Sequence, residues 1–264
     1  MRGPPPGHFP TPRLFPPFPA YTVQIPPNGD LMSELNHENG SAPIHATPAE
    51  YLRFSGAQVQ PEPAAAVAAA RLLNAASTPF PVNLSLDRAP RIAGSIFSSL
   101  TAYTPVPAGA HRVTVNQGDA TNALLLDKEL SFPPNSRSTA VLVDSSGQGI
   151  DLFQVADQPC QAGQSGQACL RTANMSMEGS SFALHATDGT LLHEHIPFGG
   201  VTPYRTLPAG PYGFYVTEDS ELEWLSGPIA ASSLTLMPGG NYTLYLLGNS
   251  WSPYGFRILP VRDS

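Results

Sequence analysis

Short stretches in which apolar and polar residues alternate occur along most of the chain after residue 63. Residues 111–115 (HRVTV) and residues 212–216 (YGFYV) are two of them. Because successive side chains of a strand point to opposite faces, this period of two predicts strands with one buried face. Two further stretches, residues 139–143 and 242–247, are apolar at nearly every position. We therefore expect those two strands to lie centrally, between two layers.

The chain also repeats itself. Residues 70–74 (ARLLN) resemble residues 170–174 (LRTAN), and residues 103–109 (YTPVPAG) resemble residues 204–210 (YRTLPAG). A period of about 100 residues indicates tandem domains, since solenoid repeats are far shorter. Each copy contains several short predicted strands separated by turn residues, a pattern typical of antiparallel sandwiches.

The predicted fold class is therefore all-β, with two tandem immunoglobulin-like antiparallel β-sandwiches. We expect the first sandwich at residues 64–160 and the second at residues 161–264. The two are predicted to lie in line and to form a rigid rod.

Residues 1–63 differ in composition and are predicted to form an extended arm. They hold 14 of the 30 prolines of the chain, and proline both fixes φ and removes an amide donor. Within the arm Tyr21, Val23 and Ile25 alternate with polar residues, which predicts a short docking strand. Three alternatives remain open for the arm: disorder, docking on its own chain, or addition to a sheet edge of a neighbouring molecule.

The order of these features resembles a known family. A strand with Arg and Asn, a Pro-Phe or Gly-Gly turn, a strand that leads into Tyr-x-x-x-Pro-Ala-Gly and a strand of Val and Leu that follows proline occur in that order twice. This arrangement is similar to the bacterial family labelled domain of unknown function 4397, over residues 68–264 as two copies. The resemblance implies immunoglobulin-like or transthyretin-like sandwiches on envelope and surface proteins, with no assigned catalytic residues.

Composition narrows the possible partners. The 264 residues include 13 Lys and Arg against 20 Asp and Glu, for a net charge of −7, so the basic surface that nucleic-acid binding needs is missing. No apolar run approaches the length of a membrane-spanning helix. Proline interrupts every apolar cluster near the N-terminus, so we expect no signal peptide. Localisation at a cell or spore surface by another route, or else in the cytoplasm, is the resulting expectation.

Candidate chemistry is sparse. His193 and His195 form the densest group of metal ligands, and strand geometry predicts that they share a face. Zinc would require one or two further ligands that the sequence does not identify, so we expect neither a metal nor a cofactor. Since no catalytic motif is found, we also expect no enzyme activity.

Two pairs of residues suggest other roles. Cys160 and Cys169 enclose a short polar segment and could form a disulfide in an oxidising compartment, or remain free thiols. Trp251 and Tyr254 belong to an aromatic group near the C-terminus that could bind a ligand such as a sugar, although such residues more often fill a core.

The leading functional hypothesis is a non-enzymatic structural surface protein. Through strand addition by its arm it would assemble into a fibre, a coat or an appendage layer, such as that of a bacterial spore. The expected partners are further copies of this chain or other surface-layer proteins. The alternative is an adhesin-like module that binds glycan or protein, and a metal-dependent enzyme is the weakest reading.

Overall fold

The computed structural model describes residues 66–146, 149–160, 166–179, 181–219 and 227–263. These ranges contain sixteen strands and no helix. The all-β class predicted from the alternating pattern is therefore confirmed. No helix among the described residues combines the length and the hydrophobicity that crossing a bilayer would require.

Eight strands form the first half of the described chain. In chain order they are β1 (Val67–Asn74), β2 (Val82–Leu86), β3 (Ala89–Ser95), β4 (Thr104–Pro107), β5 (Gly109–Gln117), β6 (Leu124–Phe132), β7 (Arg137–Ser145) and β8 (Gly149–Ala156).

The second half repeats this series. Its strands are β9 (Gln167–Asn174), β10 (Ser181–Ala186), β11 (Leu191–Pro197), β12 (Arg205–Pro208), β13 (Gly210–Glu218), β14 (Ala230–Leu236), β15 (Asn241–Leu247) and β16 (Arg257–Arg262).

The sixteen strands form four sheets of four strands each. The first sandwich has an inner sheet of order β4-β1-β7-β8 and an outer sheet of order β3-β2-β5-β6. The second sandwich has the matching inner sheet β12-β9-β15-β16 and outer sheet β11-β10-β13-β14. One detail differs from the predicted antiparallel arrangement: β1 pairs with β7, and β9 with β15, in parallel. Parallel neighbours need a long connection that returns the chain to the same end of the sheet. This is possible here because each copy's first strand lies beside a strand that begins more than 60 residues later in the chain.

Each sandwich has its own hydrophobic core between its two sheets. In the first, Leu72 and Leu142 of the inner sheet pack with Val115 of the outer sheet. In the second, Leu244 packs with Phe214 across the corresponding space. These cores bury the alternating apolar faces that the sequence pattern predicted.

A third core joins the two inner sheets. It includes Leu73 and Val141 from the first sandwich and Tyr245 and Val261 from the second, all at most 4% exposed. The sheets therefore stack in the order outer, inner, inner, outer. β7 and β15 are buried on both faces, as their apolar sequences predicted.

The arrangement of the two sandwiches differs from the predicted rod in which they lie in line. Both belong to one compact unit, Pro61–Ser264, and they are joined through sheet faces. The physical reason is the second apolar face of each inner sheet, which is removed from water only when the two faces cover each other.

The repeated Pro-Ala-Gly sequence marks the point where the chain crosses between sheets. β4 ends at Pro107 in the inner sheet, and β5 begins at Gly109 in the outer sheet. Gly109 has φ 127°, a conformation that side chains disfavour, so glycine is suited to this corner.

Candidate functional site

A buried network of charges lies between the two inner sheets and connects the sandwiches reciprocally. Arg71 of β1 donates to Asp263, which follows β16, with 2.5 Å between Nη2 and Oδ1. Arg171 of β9 donates to Asp157, which follows β8, with 2.7 Å between the same atom types. Each sandwich thus supplies one arginine and one aspartate to the other.

Hydroxyl groups complete each half of this network. Thr139 Oγ1 accepts a hydrogen bond from Arg71 Nε at 2.8 Å and donates to Asp157 Oδ2 at 2.6 Å. Thr243 Oγ1 does the same with Arg171 and Asp263, at 2.8 and 2.6 Å. The two threonines therefore link the two ion pairs into one hydrogen-bonded system.

Two tyrosines cover the arginines. The guanidinium of Arg71 lies 4.5 Å from the ring centre of Tyr103, and that of Arg171 lies 4.8 Å from that of Tyr204. Both distances are within the range of a cation–π contact. The hydroxyls of Tyr103 and Tyr204 donate to Asp157 and Asp263, respectively.

Burial keeps these tyrosines protonated. It raises the pKa of Tyr204 to about 12, with the nearby Asp263 carboxylate adding to the effect. Burial and the hydrogen bond to Asp157 raise the pKa of Tyr103 above its ordinary value. For Arg71, burial alone would lower the pKa, but Tyr103 and the two aspartates outweigh it and raise the pKa. The network therefore holds its charges and protons in one fixed pattern.

The chemistry of this network is structural. The aspartates accept hydrogen bonds from arginine, threonine and tyrosine, and their side chains are at most 4% exposed. Closed and fully paired groups of this kind fix orientation and register. We therefore assign this network to joining the two sandwiches.

The first sandwich contains an apolar cavity of about 280 Å³, and Arg71 of the charge network is one of its lining residues. It lies between edge strands β3 and β4, and its walls include Leu86, Val106 and Val113, which are at most 5% exposed. At its rim lie Arg91 and Ala102, both exposed. We call it the β3–β4 cavity. For scale, an apolar cavity of ~150 Å³ already takes up benzene.

The second sandwich has larger side chains at equivalent positions of the register. Leu170 stands where the first sandwich has Ala70, since each pairs with the matching residue of the fourth strand of its copy. Phe214 stands where the first has Val113. At these two positions the first sandwich therefore has less side-chain volume.

A groove of about 540 Å³ with both polar and apolar lining residues lies where loops of both sandwiches meet. Its lining includes Ser77, Asp144, Asn249 and Trp251. Trp251 is 70% exposed, so its indole is accessible from solvent. Within the described part of the chain, Asn249 Oδ1 and Ser77 Oγ are buried without a hydrogen-bond partner. We call this feature the Trp251 groove.

A known protein family matches the first sandwich. Residues 68–185 match the family described as "Domain of unknown function (DUF4397)". The match begins in β1 and ends in β10, so it includes the whole first sandwich and the first two strands of the second.

Comparison with curated proteins finds no match to this chain. Among solved structures, the Bacillus anthracis TIE protein matches at 8% identity and a TM-score of 0.22, over 68% of this chain and 33% of its own. A leucine-rich repeat protein from Bacteroides thetaiotaomicron matches at 11% identity and a TM-score of 0.17, over 67% of this chain and 25% of its own. This chain thus spans a third or less of either protein.

The two histidines considered as metal ligands have separate partners in the structure. His193 Nδ1 lies 2.9 Å from Thr172 Oγ1 of β9, whereas the exposed His195 contacts Asp219. The simple alternation that predicted a shared face is interrupted, because the pairing of β11 with β10 has register shifts on both sides of Leu184 in β10, and because His195 has φ 52°. Among the described residues, no group of three or more His, Cys, Asp and Glu could hold a metal ion.

The remaining candidate residues lie at several places. Cys160 and Cys169 are linked by a disulfide that bridges the connection between β8 and β9. Tyr254 stacks on Phe97, with 4.6 Å between the ring centres, and so belongs to the third core, not to an exposed platform. The predicted docking strand at Tyr21, Val23 and Ile25 lies outside the described residues.

The charge network and the β3–β4 cavity were not predicted from the sequence. The repeat containing Arg71 and Arg171 was a usable signal, since an arginine inside an apolar strand needs a buried partner. The partners could not be identified from the sequence, because Asp263 lies 192 residues from Arg71 in the chain. The smaller side chains that border the cavity are recognised only when the strands of the two copies are matched by their register.

Proposed function

We propose that this protein is a non-enzymatic structural component of a cell surface that assembles with further copies of itself through its N-terminal arm. The product would be a fibre, a coat such as that of a spore, or an appendage layer. The observation that carries this proposal is the reciprocal buried network between the inner sheets. It joins two sandwiches into one body, which suits a load-bearing unit.

The contacts between the two sandwiches resist movement of one relative to the other. Removing one partner of a buried ion pair leaves the other charge buried without a partner and lowers stability by about 3–5 kcal/mol. The two sandwiches share two such pairs as well as a continuous apolar core. Sliding or hinging between them would break both at once, so force applied to one sandwich passes to the other.

The disulfide supports a location at a surface. Disulfides persist in oxidising compartments and are rare in the cytosol of ordinary cells. Cys169 is completely buried, and the pair closes a ring across the connection between the sandwiches. Such a link favours a protein that works outside the reducing cytosol.

Assembly of a truncated chain tests this proposal. The full-length protein and a variant without residues 1–60 are compared by negative-stain electron microscopy and by size-exclusion chromatography with light scattering. A variant without residues 1–15 is the matched control, because it shortens the arm but keeps residues 21–25. We expect polymers from the full-length and control proteins and monomers from the truncation. Monomers in all three samples would overturn the proposal.

A second candidate function, glycan binding, is favoured by the Trp251 groove. An exposed aromatic face beside a few polar side chains is a common arrangement in ligand sites. Asp144 and Asn249, which also line the groove, supply a carboxylate and an amide. This function would make the protein an adhesin-like module.

A glycan array distinguishes the two candidate functions. Specific binding that is lost in Trp251→Ala, but kept in Met237→Ala, would support the glycan site. Met237 is the control because it is also an exposed hydrophobic residue, 50% accessible, and does not line the groove. Absence of any binding by the folded wild-type protein would exclude this second candidate for the sugars tested.

A further inference from the structure

We propose that the β3–β4 cavity of the first sandwich is the docking site for arm residues 21–25 of a neighbouring copy. This inference rests on the self-assembly proposed above and names the surface that the arm contacts. The apolar side chains of Tyr21, Val23 and Ile25 would enter the cavity as the arm lies along the sheet edge.

The position of the cavity suits an incoming strand. β3 and β4 are edge strands of the outer and inner sheets, and each pairs on one side only among the described residues. Sheet edges are the usual place for strand addition. Here, however, Pro90 of β3 and Pro105 of β4 lack amide donors. Side chains that enter the cavity, more than a long hydrogen-bonded ladder, must therefore supply the affinity.

The difference between the two sandwiches indicates that the cavity is a specific feature. Ala70 and Val113 border it, and the second sandwich has Leu170 and Phe214 at these positions. Interiors normally pack densely, and unfilled apolar volume destabilises a fold. A cavity bordered by these smaller side chains of the first sandwich is accounted for if another chain fills it.

The arm segment has the matching chemistry. Its apolar residues recur at every second position, which places their side chains on one face at intervals of about 7 Å. No charged residue occurs between Arg13 and Asp30, so this segment can enter an apolar space without burying a charge.

Disulfide cross-linking between separately purified variants tests the contact. One variant carries Val23→Cys in the arm, and the other carries Ala102→Cys at the exposed rim. The native cysteines are already paired with each other. Under mild oxidation we expect a linked dimer from the mixture. The matched control Gln24→Cys, on the opposite face of the arm strand, should give at least about fivefold less product because its side chain points away from the cavity.

The outcomes separate this inference from the self-assembly proposal. If the mixture gives no linked product while the full-length chain still forms polymers, the docking site is wrong and self-assembly stands. If only a double Val23→Cys, Ala102→Cys chain cross-links, and does so as a monomer, the arm docks on its own chain. That result would overturn docking in a neighbouring copy and, with it, self-assembly through the arm.

Filling the cavity provides an independent measurement. Val113→Phe introduces the residue of the second sandwich and should weaken assembly at least about tenfold, the effect of losing one buried aliphatic contact. Its melting temperature should stay equal or rise. Ala110→Phe, at an exposed position of the same strand, is the control and should assemble normally. If Val113→Phe fails to fold, Ala70→Leu replaces it.

A small apolar ligand is the competing occupant. Arg91 at the rim would suit the carboxylate of a fatty acid. Native mass spectrometry of the purified full-length protein detects such a ligand directly. A bound fatty acid that Val113→Phe removes without affecting assembly would overturn arm docking.

Discussion

Arg71 and Arg171 carry charges that the fold removes almost completely from water, whereas Arg112 carries one at the surface. Arg171 and Asp157 have side chains that are 6% and 1% exposed, but the side chain of Arg112, paired with Asp127, is 66% exposed. The environment decides what each pair contributes. A buried pair depends on complete pairing, while an exposed pair is screened by solvent.

Arg171→Met should therefore be strongly destabilising. It removes the arginine that is hydrogen-bonded to the buried Asp157 carboxylate and leaves Arg71 at 3.9 Å from it, and we expect the free energy of unfolding to fall by about 3–5 kcal/mol. The matched control Arg112→Met should cost at most about 1 kcal/mol. Urea unfolding followed by tryptophan fluorescence measures both. Similar losses for the two variants would show that the buried pair contributes no more than a surface one.

His193 provides a pH-dependent contribution to stability. Burial, aided by the charge of Arg205, lowers the pKa of His193 to about 4. The unfolded chain binds this proton near pH 6.5, whereas the folded chain does not bind it until pH 4. Stability should therefore fall as the pH drops from 6.5 to 4, by about 3 kcal/mol in total.

The control for His193 comes from the first sandwich, which has Leu72 and Ile92 where the second has Thr172 and His193. A Thr172→Leu, His193→Ile variant should lose this part of the pH dependence. Urea unfolding of both proteins at several pH values measures the difference. Parallel curves for the two proteins would assign the pH dependence to other groups.

At the scale of elements, double-sided apolar strands were predictable and irregular ones were not. Residues 139–143 and 242–247 lack an alternating pattern, and this property alone places β7 and β15 between layers. The departure of β11 from regular pairing has no such local signal. Its register shifts arise from pairing with β10, so they depend on a partner strand that the local pattern does not specify.

The β15–β16 connection contains a glycine with a specific steric role. Gly248 has φ 76°, and a Cβ atom there would lie 2.2 Å from the carbonyl oxygen of Gly255. Gly239 has nearly the same φ, 73°, but open space around it. Gly239→Ala should thus cost about 1 kcal/mol, for backbone strain alone. Gly248→Ala should cost several kcal/mol, because the backbone must also move.

Thermal unfolding of the two alanine variants measures this difference, since they share backbone conformation and differ in crowding. We expect Gly248→Ala to have a melting temperature lower by at least about 4 °C than Gly239→Ala. The Trp251 groove includes the same connection, so tryptophan fluorescence should change in Gly248→Ala as well. Equal melting temperatures would show that the connection relaxes freely around an added methyl group.

At the scale of the whole molecule, the sequence predicted the two sandwiches but not how they are joined. The repeat near residues 70 and 170 indicated a duplication, and alternation indicated the sheets. The contact between the sandwiches depends on residues such as Arg71 of β1 and Asp263, which follows β16; they are 192 residues apart in the chain, and β1 and β16 are not paired with each other. Local patterns give no information about such pairs.

Cutting the chain between the sandwiches tests whether they form one body through their own contacts. A protease site inserted after Gly163 lies between Cys160 and Cys169, so reduction is needed after cleavage to remove the covalent link. We expect the cleaved, reduced halves to elute together at micromolar concentration, because the third core and two buried ion pairs remain. Asp263→Asn in the same background should promote separation, since it leaves Arg71 buried beside a neutral partner. Arg112→Met, which alters only a surface pair, should elute as the parent does. Separation of the unmutated halves would mean that the linker and its disulfide, not the interface, hold the sandwiches together.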